Sequence, residues 1–163
     1  MSTKQIVYIG EFDKYDNKGN TMCRNTGCFK PIKHPFKKYC SRECNREFGK
    51  WYYHNFYWER VRSDIFKRDD YTCQLCKIKY KYTYRRKFAR SKILECDHIV
   101  PKSQFKQLGY KFDTLEEKIR TVTEFFHSHD NLRTLCKICH KQVTKDYLKK
   151  RKMQLVGLED AGG

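Results

Sequence analysis

Nine cysteines in 163 residues are many, and eight of them fall in close pairs. Cys73-x2-Cys76 and Cys136-x2-Cys139 form a CxxC…CxxC set with 59 residues between the pairs. Cys23-x4-Cys28 and Cys40-x3-Cys44 lie within 22 residues of each other. Paired thiolates on short turns can converge on one ion, and four of them make a closed tetrahedral zinc shell with no open position. Two structural Zn²⁺ sites are therefore expected, disulfides or unrelated free thiols being the alternative. A different chemistry is suggested by "ILECDHIVPK", residues 93–102, where Asp97 and His98 stand side by side within an apolar, strand-like run. Such a pair is costly to bury without a partner or a task. A satisfied strand-end pair is the structural alternative.

Those residues need elements to hold them. The run 44–68 reads as helix: Phe48, Trp51, Tyr52, Phe56, Trp58, Val61 and Ile65 recur mostly at three- and four-residue steps, with Gly49 as a weak point. The stripe reads as core, a base-stacking platform being the alternative. Ser41 is placed to cap the start of this helix, which would join the two cysteine units. In "KIKYKYTYRRKF", Ile78, Tyr80, Tyr82 and Tyr84 alternate with basic or polar residues, the period of a half-buried strand. A second strand is expected over 92–100, stopped by Pro101, and an amphipathic helix over 113–126. "NLRTLC" reads as a strand leading to Cys136. A last helix should run from near Cys139 to about Met153, with Val143, Tyr147 and Leu148 inward. Its first turn carries His140. Zinc closure through Cys73 and Cys76 would then bring His140 towards Asp97-His98, although 42 positions separate His98 from His140.

Taken together, "YTCQLC…ECDHIVP…HDNLRTLCKICH" resembles the HNH, or ββα-metal, endonucleases in their zinc-stapled form, with His98, Asn131 and His140 as the three letters. The resemblance covers about residues 57–150. It implies an α+β protein with a small treble-clef-like ββα-metal core over 51–163. A four-cysteine zinc unit over 1–50 would precede the core, and a loop and helix would be inserted at about 103–129. It also implies phosphodiester hydrolysis in DNA. His98 would be the general base, Asp97 and His140 the ligands of one catalytic Mg²⁺ or Mn²⁺, and Asn131 the residue that holds the backbone near His98. In some relatives an Asn is itself a ligand. One carboxylate and one imidazole would leave most of a cation's coordination open to phosphate and water, unlike the closed thiolate sites. This chain departs from compact members in the 32 residues between His98 and Asn131, and in Thr144, where some carry a further ligand.

Composition agrees with a polyanionic partner. The formal charge is +17. Eight thiolates and two dications would lower it only to about +13. Candidate phosphate contacts are Lys79, Lys81, Arg85, Arg86 and Lys87, and Lys149, Lys150, Arg151 and Lys152, for each of which a solvated basic face is the alternative. DNA, duplex or branched, is the expected partner, and a homodimer is compatible with the sequence. There is no apolar run of membrane-spanning length and no secretory pattern in "MSTKQIVYIGEF", so an intracellular location and no membrane are expected. A zinc-stapled nucleic-acid-binding module without catalysis is the rival reading, and an RNA-associated zinc protein a third. His127 and His129 read as exposed loop residues rather than a further metal site, His34 and His54 as surface or partner-helix residues, and Cys96 as a small buried side chain.

Overall fold

A computed structural model describes residues 6–80 and 93–159, the side chains of 154–159 excepted. Among them are four α-helices and two small antiparallel sheets, an α+β arrangement. The chain divides into two compact units, Met1–Ser63 with Val100–Asn131, and Asp64–Ile99 with Leu132–Gly163.

The first unit opens with a two-residue ladder, β1 (Lys14–Tyr15) on β2 (Thr21–Met22). Helix α1 (Arg42–Phe56) then starts where expected, because the Ser41 hydroxyl accepts from the Cys44 N–H at 3.2 Å. Phe48, Tyr52 and Phe56 recur every four residues on its inner face and are buried. They pack with Phe12, Val7, Val122, Phe125 and Phe126 into an aromatic core. Phe12 meets Phe48 edge-on at 5.2 Å, and the Tyr52 hydroxyl donates to the Val7 carbonyl at 2.9 Å. The stripe is core, and truncating Phe48, which is 1% exposed, should cost about 3–5 kcal/mol.

The segment Val100–Asn131 closes this core. Helix α3 (Leu115–Thr121) has a reciprocal cap between Thr114 and Glu117, and its last turn widens into a π-turn over Val122–Phe126. The expected 113–126 helix is thus an α-helix in its first half only. The wider turn places Val122, Phe125 and Phe126 on one buried face.

The 44–68 helix is two helices. Tyr57 leaves helical geometry (φ −92°, ψ 103°), and α2 (Trp58–Arg68) begins after it. The break follows a run of poor helix formers, Tyr53, His54, Asn55 and Phe56, in which Asn55 bonds back to the Trp51 carbonyl at 2.8 Å. Gly49 stays helical.

In the second unit β3 (Leu94–His98) pairs with β4 (Leu132–Cys136), setting Leu94 opposite Cys136, Asp97 opposite Arg133 and His98 opposite Leu132. Leu94 and Leu135, neither measurably exposed, pack with Phe66, Cys73 and Cys136. The end of α2 clasps β4: Arg68 donates to the Leu132 carbonyl and Asp69 accepts from the Thr134 N–H, each at 2.8 Å. Helix α4 (Lys137–Glu159) begins directly after Cys136, earlier and longer than the sequence suggests. Val143 packs against this core, but Leu148 is 55% exposed and not inward. Of the expected strand after Cys76, Thr72 bridges Lys79 and Tyr80 packs on the core; the remainder lies outside the described residues. No described helix is long and apolar enough to cross a membrane.

Candidate functional site

Both cysteine sets converge. Within each, all four Sγ atoms lie within 4.8 Å of one another. A tetrahedral zinc site with Zn–S of about 2.3 Å has sulfur–sulfur edges of about 3.8 Å. The observed separations fit that: 3.6 Å for Cys28–Cys40 and Cys40–Cys44, and 3.9 Å for Cys76–Cys136. Among the described residues, these are the two places where three or more cysteine, histidine or carboxylate ligand atoms gather so closely.

Backbone N–H groups are turned towards the sulfurs, Cys40 N to Cys23 Sγ at 3.4 Å and Cys139 N to Cys136 Sγ at 3.5 Å. Lys77 takes a left-handed φ of 60° just after Cys76, tightening the second knuckle. The crowded thiols titrate apart. Burial would raise Cys73, but N–H donors from Cys136, Cys76 and Leu75 outweigh it and bring it down to about 6. Cys139, hydrogen-bonded to Cys136 and partly buried, is pushed up to about 12. In the first set, burial and the neighbouring sulfurs push Cys40 up to about 12, whereas the Lys30 N–H lowers Cys28. Four acceptor-rich sulfurs competing for protons at this spacing suit a dication that replaces them.

The third cluster has a different construction. Asp97 lies on β3 and is 9% exposed. Arg133, directly across the ladder, grips its Oδ2 through Nε at 2.9 Å and Nη2 at 2.8 Å. His140, in the first turn of α4, presents Nε2 to the other oxygen, Asp97 Oδ1, at 3.5 Å. Its Nδ1 is bound by Glu95 Oε2 at 2.5 Å. Glu95 and Asp97 meet His140 from one face of β3, as period-two alternation requires. His98 ends the strand, half-buried. Asn131 is buried, and its amide holds both backbone groups of Val100: Oδ1 accepts from the N–H at 2.7 Å, and Nδ2 donates to the carbonyl at 3.2 Å. Nδ2 also donates to the Phe125 carbonyl at 3.1 Å.

Asp97 and His140 are thus brought together, and Asn131 is a backbone clamp. Of the basic candidates, Lys79 is paired with Asp70, whereas Lys149, Lys150, Arg151 and Lys152 are exposed on α4. Lys81, Arg85, Arg86 and Lys87 lie outside the described residues. Glu95 and Arg133 were not singled out in the sequence. A signal for Glu95 existed, since it stands two residues before Asp97 on the same strand face. None existed for Arg133, whose place depends on the ladder register. His127 corrects an expectation: it is not an exposed loop residue. It is bonded to the Asn55 carbonyl at 2.5 Å and lies 5.5 Å from the Trp58 ring, and burial holds its pKa down to about 4. Cys96 is only half-buried against the second core.

Over 183 aligned positions the chain is 29% identical to the DNA annealing helicase and endonuclease ZRANB3 of Homo sapiens. The chain is distantly related to a DNA-processing enzyme. The alignment takes in 93% of this chain but 16% of the relative's length. No family model matches the chain, and no solved structure matches it significantly.

Proposed function

We propose that this chain is a metal-dependent DNA endonuclease of the HNH type, with a treble-clef-like ββα-metal core over 51–163. Residues 1–50 would form an accessory zinc unit, and 103–129 an insertion. The observation that carries the reading is the Asp97–His140 pair. Each side chain has its rear atom tied, Oδ2 by Arg133 and Nδ1 by Glu95, and the two remaining atoms face each other at 3.5 Å. Adjacent ligands in an octahedral shell with bonds of about 2.1 Å stand about 3.0 Å apart, so the pair would close by roughly half an ångström to share one ion. A Mg²⁺ or Mn²⁺ held there would supply charge stabilisation at a scissile phosphate and its leaving oxygen.

The protein's own residues do the rest. His98 accepts the proton of the attacking water, a task that suits an imidazole near neutrality. Asn131 holds Val100, two residues on in the chain, and so steadies the segment that follows His98. The exposed Lys149–Lys152 stretch of α4 contacts phosphates and positions the nucleic acid without reading its sequence. The endonuclease named in the human relative supports the same reading. The two four-cysteine sites carry structural zinc and leave no position for substrate.

The test is conversion of supercoiled plasmid to nicked or linear form with Mg²⁺ or Mn²⁺, comparing the wild type with His98→Ala and checking binding by gel shift. Cleavage by the wild type alone, with binding retained in both, is the expected outcome. Binding without cleavage in either protein, on plasmid and on branched DNA, would sink the nuclease reading and leave the zinc-stapled binding module.

A further inference from the structure

We infer that Glu95 is a positioning residue of this site: it fixes His140 as the tautomer protonated on Nδ1, so that Nε2 keeps the lone pair a divalent cation needs. The inference rests on the nuclease reading and deepens it.

A neutral imidazole carries one proton, and which nitrogen holds it is decided by the hydrogen bond the other atoms make. An ionised carboxylate only accepts. With Glu95 Oε2 at 2.5 Å from Nδ1, the proton belongs on Nδ1, and Nε2 is left bare towards Asp97 Oδ1. His140 needs such a partner. It sits in the first turn of α4 with a third of its side chain exposed. The two tautomers of a neutral imidazole have the same heavy-atom shape, so hydrogen bonds and not packing choose between them.

The counterpart on the other ligand strengthens the argument. Arg133 uses two nitrogens on one oxygen of Asp97, which leaves the second oxygen presented to His140. Each ligand is thus held from behind by an ion of opposite or complementary charge. Both holders come from the same two-stranded ladder, Glu95 from β3 and Arg133 from β4. Outer partners of this kind typically change metal affinity by about 10–100-fold when removed. Glu95 is one-third exposed, so its contribution is directional and not a buried charge pair.

The experiment uses the full, zinc-loaded chain. Mn²⁺ binding is followed by electron paramagnetic resonance, since Mn²⁺ does not displace zinc from thiolates. The His140 tautomer is read separately, without Mn²⁺, from ¹⁵N shifts of the ring at mildly alkaline pH. His140→Ala should lose the Mn²⁺ site. Glu95→Ala should weaken Mn²⁺ roughly 10–100-fold and mix the tautomers. Glu95→Gln should lose less, because its amide oxygen still accepts from Nδ1–H.

Wild-type Mn²⁺ affinity and an unchanged tautomer in Glu95→Ala, with the site lost in His140→Ala, would overturn this inference and leave the nuclease reading standing. Equal losses in Glu95→Gln and Glu95→Ala with the tautomer unmoved would make Glu95 a direct ligand, and would also overturn it. Undiminished Mn²⁺ binding in His140→Ala would remove the metal site and the inference with it. Amide spectra of the same samples verify that each variant is folded.

Discussion

The two units start from one device and use it differently. In each, four cysteines converge, and the last of them open a helix: Cys44 lies in the first turn of α1, and Cys139 in the first turn of α4. Beyond the cysteines, α1 presents Phe48, Tyr52 and Phe56 to an aromatic core. Helix α4 instead presents His140, one residue after the last thiol, to the carboxylates of β3. The sheets differ in proportion. The first unit's ladder is two residues long, whereas the five-residue β3–β4 ladder is long enough to hold Glu95, Asp97 and Arg133 in register. A four-cysteine cluster that opens a helix is thus followed in one unit by an apolar face and in the other by a polar one.

The largest expected effect tests the staples themselves. Structural zinc in small modules contributes on the order of 10–16 kcal/mol of folding free energy. Cys136→Ser should release one of two zinc ions by mass spectrometry and erase the amide signals of β3 and β4, and any Mg²⁺-dependent cleavage with them. Cys40→Ser should release the other ion and disturb tryptophan fluorescence, because both tryptophans, Trp51 and Trp58, belong to the first unit. If Cys136→Ser left the β3–β4 signals intact, the second staple would not be a scaffold.

Acid should separate the units next. Burial lowers His127 from an ordinary value of 6.5 to about 4, despite its bond to Asn55, and the nearby Lys102 charge acts in the same direction. The folded unit therefore binds fewer protons than the unfolded chain in that interval. The stability from neutral His127 is complete above about pH 6.5 and drains away as pH falls to about 4. In the second unit Asp69 is the comparable group. Burial would raise it, but Arg68 and the Thr134 N–H hold it below its ordinary 3.8, so its contribution is lost only below that value. Denaturant unfolding followed by tryptophan fluorescence should weaken between pH 6.5 and 4. His127→Asn, which retains a donor for Asn55 and cannot be charged, should flatten that slope. An equal slope in the variant would refute the assignment.

The smallest effect concerns the exposed end of α4. Neutralising Lys149, Lys150, Arg151 and Lys152 together should leave both zinc ions bound. It should reduce the dependence of DNA affinity on salt by a slope of about 0.9 for each phosphate left without its cation, about 4 if all four side chains pair with one. Filter binding across a salt series measures it, and an unchanged slope would assign these residues to solvent.

Much of this was legible because it depends on local spacing. The cysteine pairs announce their turns, Ser41 its cap, and the four-residue steps of Phe48, Tyr52 and Phe56 their buried face. The alternation of β3 announces that Asp97 shares a face with Glu95. Helix limits were less legible: the break at Tyr57 and the early start of α4 at Lys137 come from weak propensities that tertiary packing overrides. Leu148 read as inward because periodicity marks a face without saying how far the core extends to meet it.

What the sequence by itself determined was the residue types able to do chemistry: two sets of four cysteines, a carboxylate beside an imidazole, and a second imidazole next to the last cysteine. Only the tertiary structure decided which atoms face each other. Asp97 meets Arg133 across 36 positions because the β3–β4 register sets them opposite, and His140 meets Glu95 and Asp97 because α4 leaves the ladder at Cys136. Register and helix direction are fixed by the burial of Leu94 and Leu135 and the convergence of four sulfurs, both of which join residues far apart in the chain. A linear pattern carries residue types, but the direction of a lone pair is set by what folds against it.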